Sequence, residues 1–185
     1  LVAVPLGVGA AAYLSEISSP RLRKLSSFLL ELLAAIPSVI FGFWAVEFLA
    51  KRGLGPTYDF FGLKHQSGEG IVAAGLVLAV MILPYITALS YDVCQAVPRS
   101  QREGSLAVGA TRWQTIWNVV LPYARPGIIA ACFLALGRAI GETMAVTMVI
   151  GNGQYLDFSL TATGDSIPSI IAKQLHETTP GDAKR

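Results

Sequence analysis

The stretch IVAAGLVLAVMILPYITALSY, residues 71–91, decides the fold: it is a continuous apolar run with no charge and only Pro84 as a helix breaker inside it. A membrane-crossing helix needs roughly 20 mostly apolar residues at about 1.5 Å of rise each, so this run spans a bilayer without help. Two further blocks meet the same test. Phe28 to Ala50 is interrupted by Pro37 and carries Glu31 and Glu47 near its ends, and Gly127 to Ile150 carries Arg138 and Glu142. Leu1 to Leu14 is apolar but short, as expected of a helix that begins before the sequence does. With no initiator Met at one end and a polar stretch from Glu177 to Arg185 at the other, the chain is expected to be a piece of a longer protein.

Over its 185 residues the chain is 53% hydrophobic and 14% charged, too apolar for one soluble core to hide. The class that follows is an all-α, polytopic transmembrane helical bundle, with residues 1–185 as one membrane domain. A formal net charge of +2 gives no footprint for nucleic acid. Cys94 and Cys132 lack the spacing of a disulfide framework and read as free thiols. His65 and His176 fall in expected outer segments without neighbouring Cys or carboxylates, so no metal site is expected. No nucleotide-binding loop of the Gly-x-x-x-x-Gly-Lys-Ser/Thr kind occurs, and the chain is read as a non-catalytic subunit.

Basic residues in the connecting segments set the orientation. Arg21, Arg23, Lys24, Arg99, Arg102, Arg112 and Arg125 lie in two segments, and Lys51, Arg52 and Lys64 in a third, so seven against three place the first two on the cytoplasmic side. Residues 151–185 are then extracytoplasmic. Gly151, Asn152, Gly153 and Gly164 mark irregular chain there, followed by a short amphipathic helix with Ile167, Ile170, Ile171 and Leu175 on one face and Ser166 before Pro168 as its start signal. That helix either anchors the segment at the interface or meets a partner.

The cytoplasmic segment 99–126 contains EGSLAVGATRWQTIWNVVLP, residues 103–122. It reads as two short helices joined at Gly109, with Thr111 as N-cap of the second, Trp113, Ile116, Trp117 and Val120 recurring on its face, and Pro122 ending it. Such a helix suits a groove on a cytosolic partner or the lipid interface.

This segment resembles the "EAA" loop of ATP-binding-cassette import permeases, written Glu-Ala-Ala, three residues, Gly, nine residues, Ile, one residue, Leu-Pro. Glu103, Gly109, Leu121 and Pro122 match; Gly104 and Ser105 replace the two Ala, and Val119 replaces Ile. The resemblance implies a six-helix permease of the MetI-like type, of which about four helices are present. It also implies that Glu103, Gly109, Leu121 and Pro122, with Ala110, Thr111 and Arg112 at the turn, couple to an ATPase. ELLAAIPSVIFG at 31–42, MILPYIT at 81–87 and GRAIGETMAV at 137–146 are similar to the phosphate-specific, PstC-type branch. That branch implies inorganic phosphate as cargo and a bacterial cytoplasmic (inner) membrane location. Its partners would be a second permease (PstA type), an ATPase dimer (PstB type) that holds ATP and Mg, and an extracytoplasmic phosphate-binding protein (PstS type). A permease for another oxyanion, such as sulfate or molybdate, and a channel or scaffold without ATP coupling are the competing readings.

Arg138 and Glu142 are four apart, so a continuous helix would put them on one face and let them pair. A charge at mid-membrane costs at least about 2.5–3.5 kcal/mol and usually faces a polar cavity or a partner. Arg138 suits an oxyanion, because guanidinium offers two parallel donors and stays charged. Glu142 then serves as the counter-ion that aids release, or else the pair only locks helices together. Gly137 and Gly141 form a small-xxx-small pair for close helix approach, at a subunit interface or within the chain. Pro37 and Pro84 are expected to kink or break their spans, as hinges or as static bends.

Overall fold

The computed structural model describes residues 2–56, 68–151 and 163–177. Lys64, His65, Asn152 and Gly153 lie outside the described residues. Eight helices account for most of what is described: α1 (Ala3–Glu16), α2 (Pro20–Ala35), α3 (Ser38–Leu54), α4 (Ile71–Gln95), α5 (Arg99–Ala107), α6 (Arg112–Ile140), α7 (Met144–Val149) and α8 (Ile167–Glu177). Helices α4 and α6 are each long and apolar enough to cross a membrane, and α2 with α3 forms a third crossing if the broken pair is one span.

Pro37 breaks its span as expected, whereas both ends of the last block differ from the sequence reading. The block Phe28 to Ala50 is two helices, because Pro37 adopts φ −58° and ψ 139° ahead of α3. Proline keeps the residue before it out of helical geometry, and it lacks the N–H that would continue the ladder. Pro84, by contrast, stays inside α4. The block Gly127 to Ile150 starts earlier and stops sooner: α6 begins at Arg112 and ends at Ile140, and α7 resumes at Met144 after a turn. Pro122 does not end a helix. A π turn over Ile116–Val120 precedes it, in which the Leu121 N–H bonds the Ile116 carbonyl five residues back. That widened turn absorbs the missing donor, so the helix continues through Pro122 and Pro126.

The chain divides into two compact units, Leu1–Ala35 with Ala79–Arg138, and Ile36–Leu78 with Ala139–Arg185. In the first, Ala3, Ile86 and Ala135 form one core cluster and Cys94, Val97, Val120 and Ala124 another. Helix α1 approaches α4 so closely at Gly7 that a Cβ there would meet Ile86 Cγ2 at 2.7 Å. In the second unit, Ala45, Ala73, Val77, Ala145 and Val149 form the core, and a Cβ at Gly42 would meet the Ala145 Cα at 3.0 Å.

The distribution of sizes is that of a membrane protein. Among the described residues, 11 of the 21 buried apolar residues are alanine, whereas Phe43, Phe133, Leu134 and Ile140 are each about two-thirds exposed. Water would drive those large side chains inward; lipid does not, and helix contacts are then made by small residues that let backbones approach. The chain is an integral membrane protein.

Candidate functional site

Helix α5, the turn at Gly109 and the start of α6 form a helical hairpin. Pro98 sets its entry with φ −57° and ψ 138°. At the tip, Gly109 takes φ +91°, a conformation that side chains with a Cβ rarely adopt, and its N–H bonds the Leu106 carbonyl. The second arm starts with a capping box: Thr111 Oγ1 accepts from the Gln114 N–H at 3.3 Å, and Gln114 Oε1 accepts from the Thr111 N–H at 2.8 Å. The two arms are tied by the hydroxyls of Ser105 and Thr115 at 3.1 Å, with Thr115 buried. Ser105 stands where the loop resemblance has alanine, and Thr115 is the partner that makes the departure useful.

Glu103, Gly109, Thr111 and Arg112 are exposed near the hairpin turn with Ala110 half-buried, and Val108 at its tip is 90% exposed. Leu121 and Pro122 sit beyond the π turn on α6, away from that tip. The aromatic face is split. Ile116 and Val120 are buried, while the exposed rings of Trp113 and Trp117 meet edge-on at 5.9 Å and, with Ile116, line an apolar cavity of about 320 Å³ against Pro5, Val8 and Tyr13 of α1. The tryptophans therefore belong to a groove along α1, and the tip, with Val108 exposed beside Thr111 and Arg112, is a separate surface of the hairpin.

Arg138 and Glu142 are not on a common helix. Because α6 stops at Ile140, the four-residue spacing no longer fixes a shared face, and each group has a partner of its own. The Arg138 Cζ lies 4.4 Å from the centroid of the Tyr85 ring on α4, and its Nε is buried with no hydrogen-bond partner. Glu142 Oε1 accepts the Ala145 N–H at 3.2 Å, at the positive N-terminal end of α7. Glu142 is also the charged residue lining a mostly apolar cavity of about 340 Å³ that Ile71, Leu78, Val146, Ile150 and Ser166 help to line. Gly141 lies in the turn after α6, so Gly137 and Gly141 are not one helical small-xxx-small pair. Among the described residues nothing comes within 4 Å of a Cβ built at Gly137.

Sequence reasoning missed Tyr85 and the glycines that make close contacts, Gly7, Gly42 and Gly127. Tyr85 sits in the quoted stretch 81–87, but nothing in one sequence pairs it with a residue 53 positions on.

An all-helical membrane chain with a hairpin of this build fits a transport permease, and residues 3–172 match the family described as the binding-protein-dependent transport system inner membrane component. The chain belongs to that family of non-enzymatic membrane subunits. It is 39% identical over 96% of its length to the phosphate transport system permease protein PstC of Pasteurella multocida, and 40% identical over 96% to that of Mesorhizobium japonicum. To the probable ABC transporter permease protein YqgH of Bacillus subtilis it is 41% identical over its full length. The chain spans 58–59% of the length of these relatives.

Proposed function

We propose that this chain is the membrane-spanning permease part of an ATP-driven importer that carries inorganic phosphate across the bacterial cytoplasmic membrane. The observation that carries the reading is Arg138: a cation on a membrane-capable helix, held over an aromatic ring, with a buried N–H lacking any partner. A cation placed at such cost in an apolar element is kept for a polar path, and a guanidinium matches a tetrahedral oxyanion through paired donors. The names of the relatives, each said of its own protein, support phosphate as the oxyanion. Glu142 supplies negative charge to the path, which favours release of an anion that a lone arginine would hold.

Coupling is assigned to the hairpin tip. Glu103, Gly109, Ala110, Thr111 and Arg112 dock into a PstB-type ATPase dimer, which holds ATP and Mg, and Leu121 and Pro122 pass the motion into α6. A PstA-type permease completes the path, with the open side of Gly137 as a contact, and a PstS-type binding protein delivers phosphate. The test is phosphate uptake by cells carrying the full-length permease with Arg138→Gln, alongside capture of the ATPase. Uptake is expected to fall at least tenfold with ATPase capture unchanged; normal uptake removes Arg138 from the path. Uptake of sulfate or molybdate by the unaltered protein, in place of phosphate, reassigns the cargo and leaves the class intact.

A further inference from the structure

Arg102 lies one residue before the loop motif, and its side chain leaves the hairpin. Its Nη2 is 3.0 Å from Glu16 Oε1, at an angle that makes the contact ionic in character, and the same nitrogen donates to the Cys94 carbonyl at 2.5 Å. One guanidinium therefore joins α5 to the C-terminal ends of both α1 and α4. The pair is substantially buried, the side chains being 20% and 14% exposed.

The placement of Glu16 is unfavourable by itself. It is the last residue of α1, where the helix dipole is negative and the final carbonyls lack intrahelical partners. Two arginines from other elements compensate. Arg23 of α2 donates to the Ser15 carbonyl at 2.7 Å and the Leu14 carbonyl at 3.3 Å, and Arg102 answers the carboxylate. Both arginines were counted in the sequence as markers of a cytoplasmic segment, and both are engaged with helix ends.

Stability alone is a poor reason for such a pair. Removing two charges from water offsets most of their attraction, and apolar side chains of similar size do the same work at least as well. The Glu47–Lys51 ion pair, in contrast, is exposed and lies within one turn of α3, so it connects nothing. Glu16 and Arg102 differ from that pair in reach: they bind elements 86 positions apart in the chain. The covalent path from α4 to α5 runs through residues 96–98 with Val97 buried against Val120 and Ala124, and so leads to α4 and α6 only. Helix α1 meets α4 closely at Gly7 and again at its C-terminal end, where Ser15 hydrogen-bonds the Cys94 side chain, but neither contact reaches α5.

We infer that Arg102 is a positioning residue for energy coupling: through Glu16 and the Cys94 carbonyl it makes the ends of α1 and α4 follow the hairpin when the ATPase moves it. The inference rests on the importer reading above. In proteoliposomes holding the full-length permease with its partner subunits, phosphate imported per ATP hydrolysed is measured for the unaltered protein, E16Q, R102Q and the exchange E16R/R102E. E16Q and R102Q are expected to keep hydrolysis within about twofold while import per ATP falls at least fivefold, and the exchange is expected to restore at least half of the loss. A ratio within twofold of the unaltered protein in both amide variants overturns the inference. The link is also read without cargo, by the distance between spin labels placed at Ile17 and Gln101 of the full-length permease, in a Cys132→Ser background and assembled with its partner subunits, with and without ATP trapped on the ATPase. A single narrow distance that broadens in R102Q supports it, and an equally narrow distance in R102Q overturns it. An unaltered complex that hydrolyses ATP but imports no phosphate refutes the cargo assignment, and the label distances then decide the link alone.

Discussion

Tyr85 is the residue on which the arginine site depends most sharply. Its ring centroid lies 4.4 Å from the Arg138 Cζ, inside the roughly 6 Å limit for a cation held by an aromatic face. The contact contributes about 0.5–1 kcal/mol where water competes and about 2 kcal/mol where it does not. Arg138 is half-buried with its Nε closed off from solvent, so the upper part of that range applies, about 1–2 kcal/mol. A ring face uses up none of the five guanidinium donors, so Tyr85 holds the cation in place without competing with an anion for its N–H groups. Tyr85→Leu keeps apolar volume and removes the ring; at about 1.4 kcal/mol per tenfold it should raise the KM for phosphate uptake by roughly 5- to 30-fold. Tyr85→Phe keeps the ring and loses only the hydroxyl, and should stay within about twofold. Concentration-dependent uptake of labelled phosphate into vesicles carrying the full-length permease measures both. An unchanged or lowered KM in Tyr85→Leu refutes the reasoning, since it would mean that the ring either does nothing or opposes the anion. Equal losses in the Phe and Leu variants would move the effect to the hydroxyl.

Gly42→Leu and Gly137→Leu separate packing within the chain from packing against a partner. At Gly42 the new side chain meets backbone at 3.0 Å and should cost about 1–3 kcal/mol, seen as a lower melting temperature of the purified permease. At Gly137 it meets open space, so melting is unchanged while co-purification of the second permease falls. Thr111→Val removes the oxygen that accepts the Gln114 N–H, a loss of about 1 kcal/mol at the start of α6; exchange of the Gln114 amide with deuterium should quicken roughly fivefold, and unchanged exchange would show that the cap is not what holds the hairpin closed.

The apolar blocks gave the helices away because lipid asks only for length and hydropathy, and α4 is where the run at 71–91 places it. The hairpin turn was equally legible, since Gly109 and Thr111 act through local backbone geometry and a cap between residues three apart. Two boundaries went astray. Pro122 looked like a stop because proline breaks an α-helical ladder, but a π turn can relocate the missing bond, and nothing in the residue string distinguishes the two outcomes. The end of α6 at Ile140 was hidden for the opposite reason: in GRAIGETMAV the glycines read as packing residues rather than as an exit, and Glu142 as a same-face partner of Arg138. Once that helix stopped, the argument for an Arg138–Glu142 pair stopped with it, and Tyr85 and Ala145, each inside a quoted stretch but singled out by nothing in it, became the partners.

The continuity of α6 changes what the hairpin can do. Had Pro122 ended a short helix, the tip would have been joined to the membrane by a hinge, and a push on the tip would have been lost in bending. Instead Arg112 near the tip and Arg138 near the far end stand on one helix, 26 residues or about 39 Å apart. A rod of that length carries rotation and translation from one end to the other, and its weakest point is the turn over Ile116–Val120, where the ladder is widened and two prolines follow within six residues. That point is also where Val120 and Ala124 are packed against Cys94 and Val97 at the end of α4, so the place most prone to bend is braced from the side. The brace is in turn tied to α1 by Arg102. On the importer reading, motion at the hairpin is thus shared among three helices at one level of the structure, and α6 carries it along its own length to Arg138.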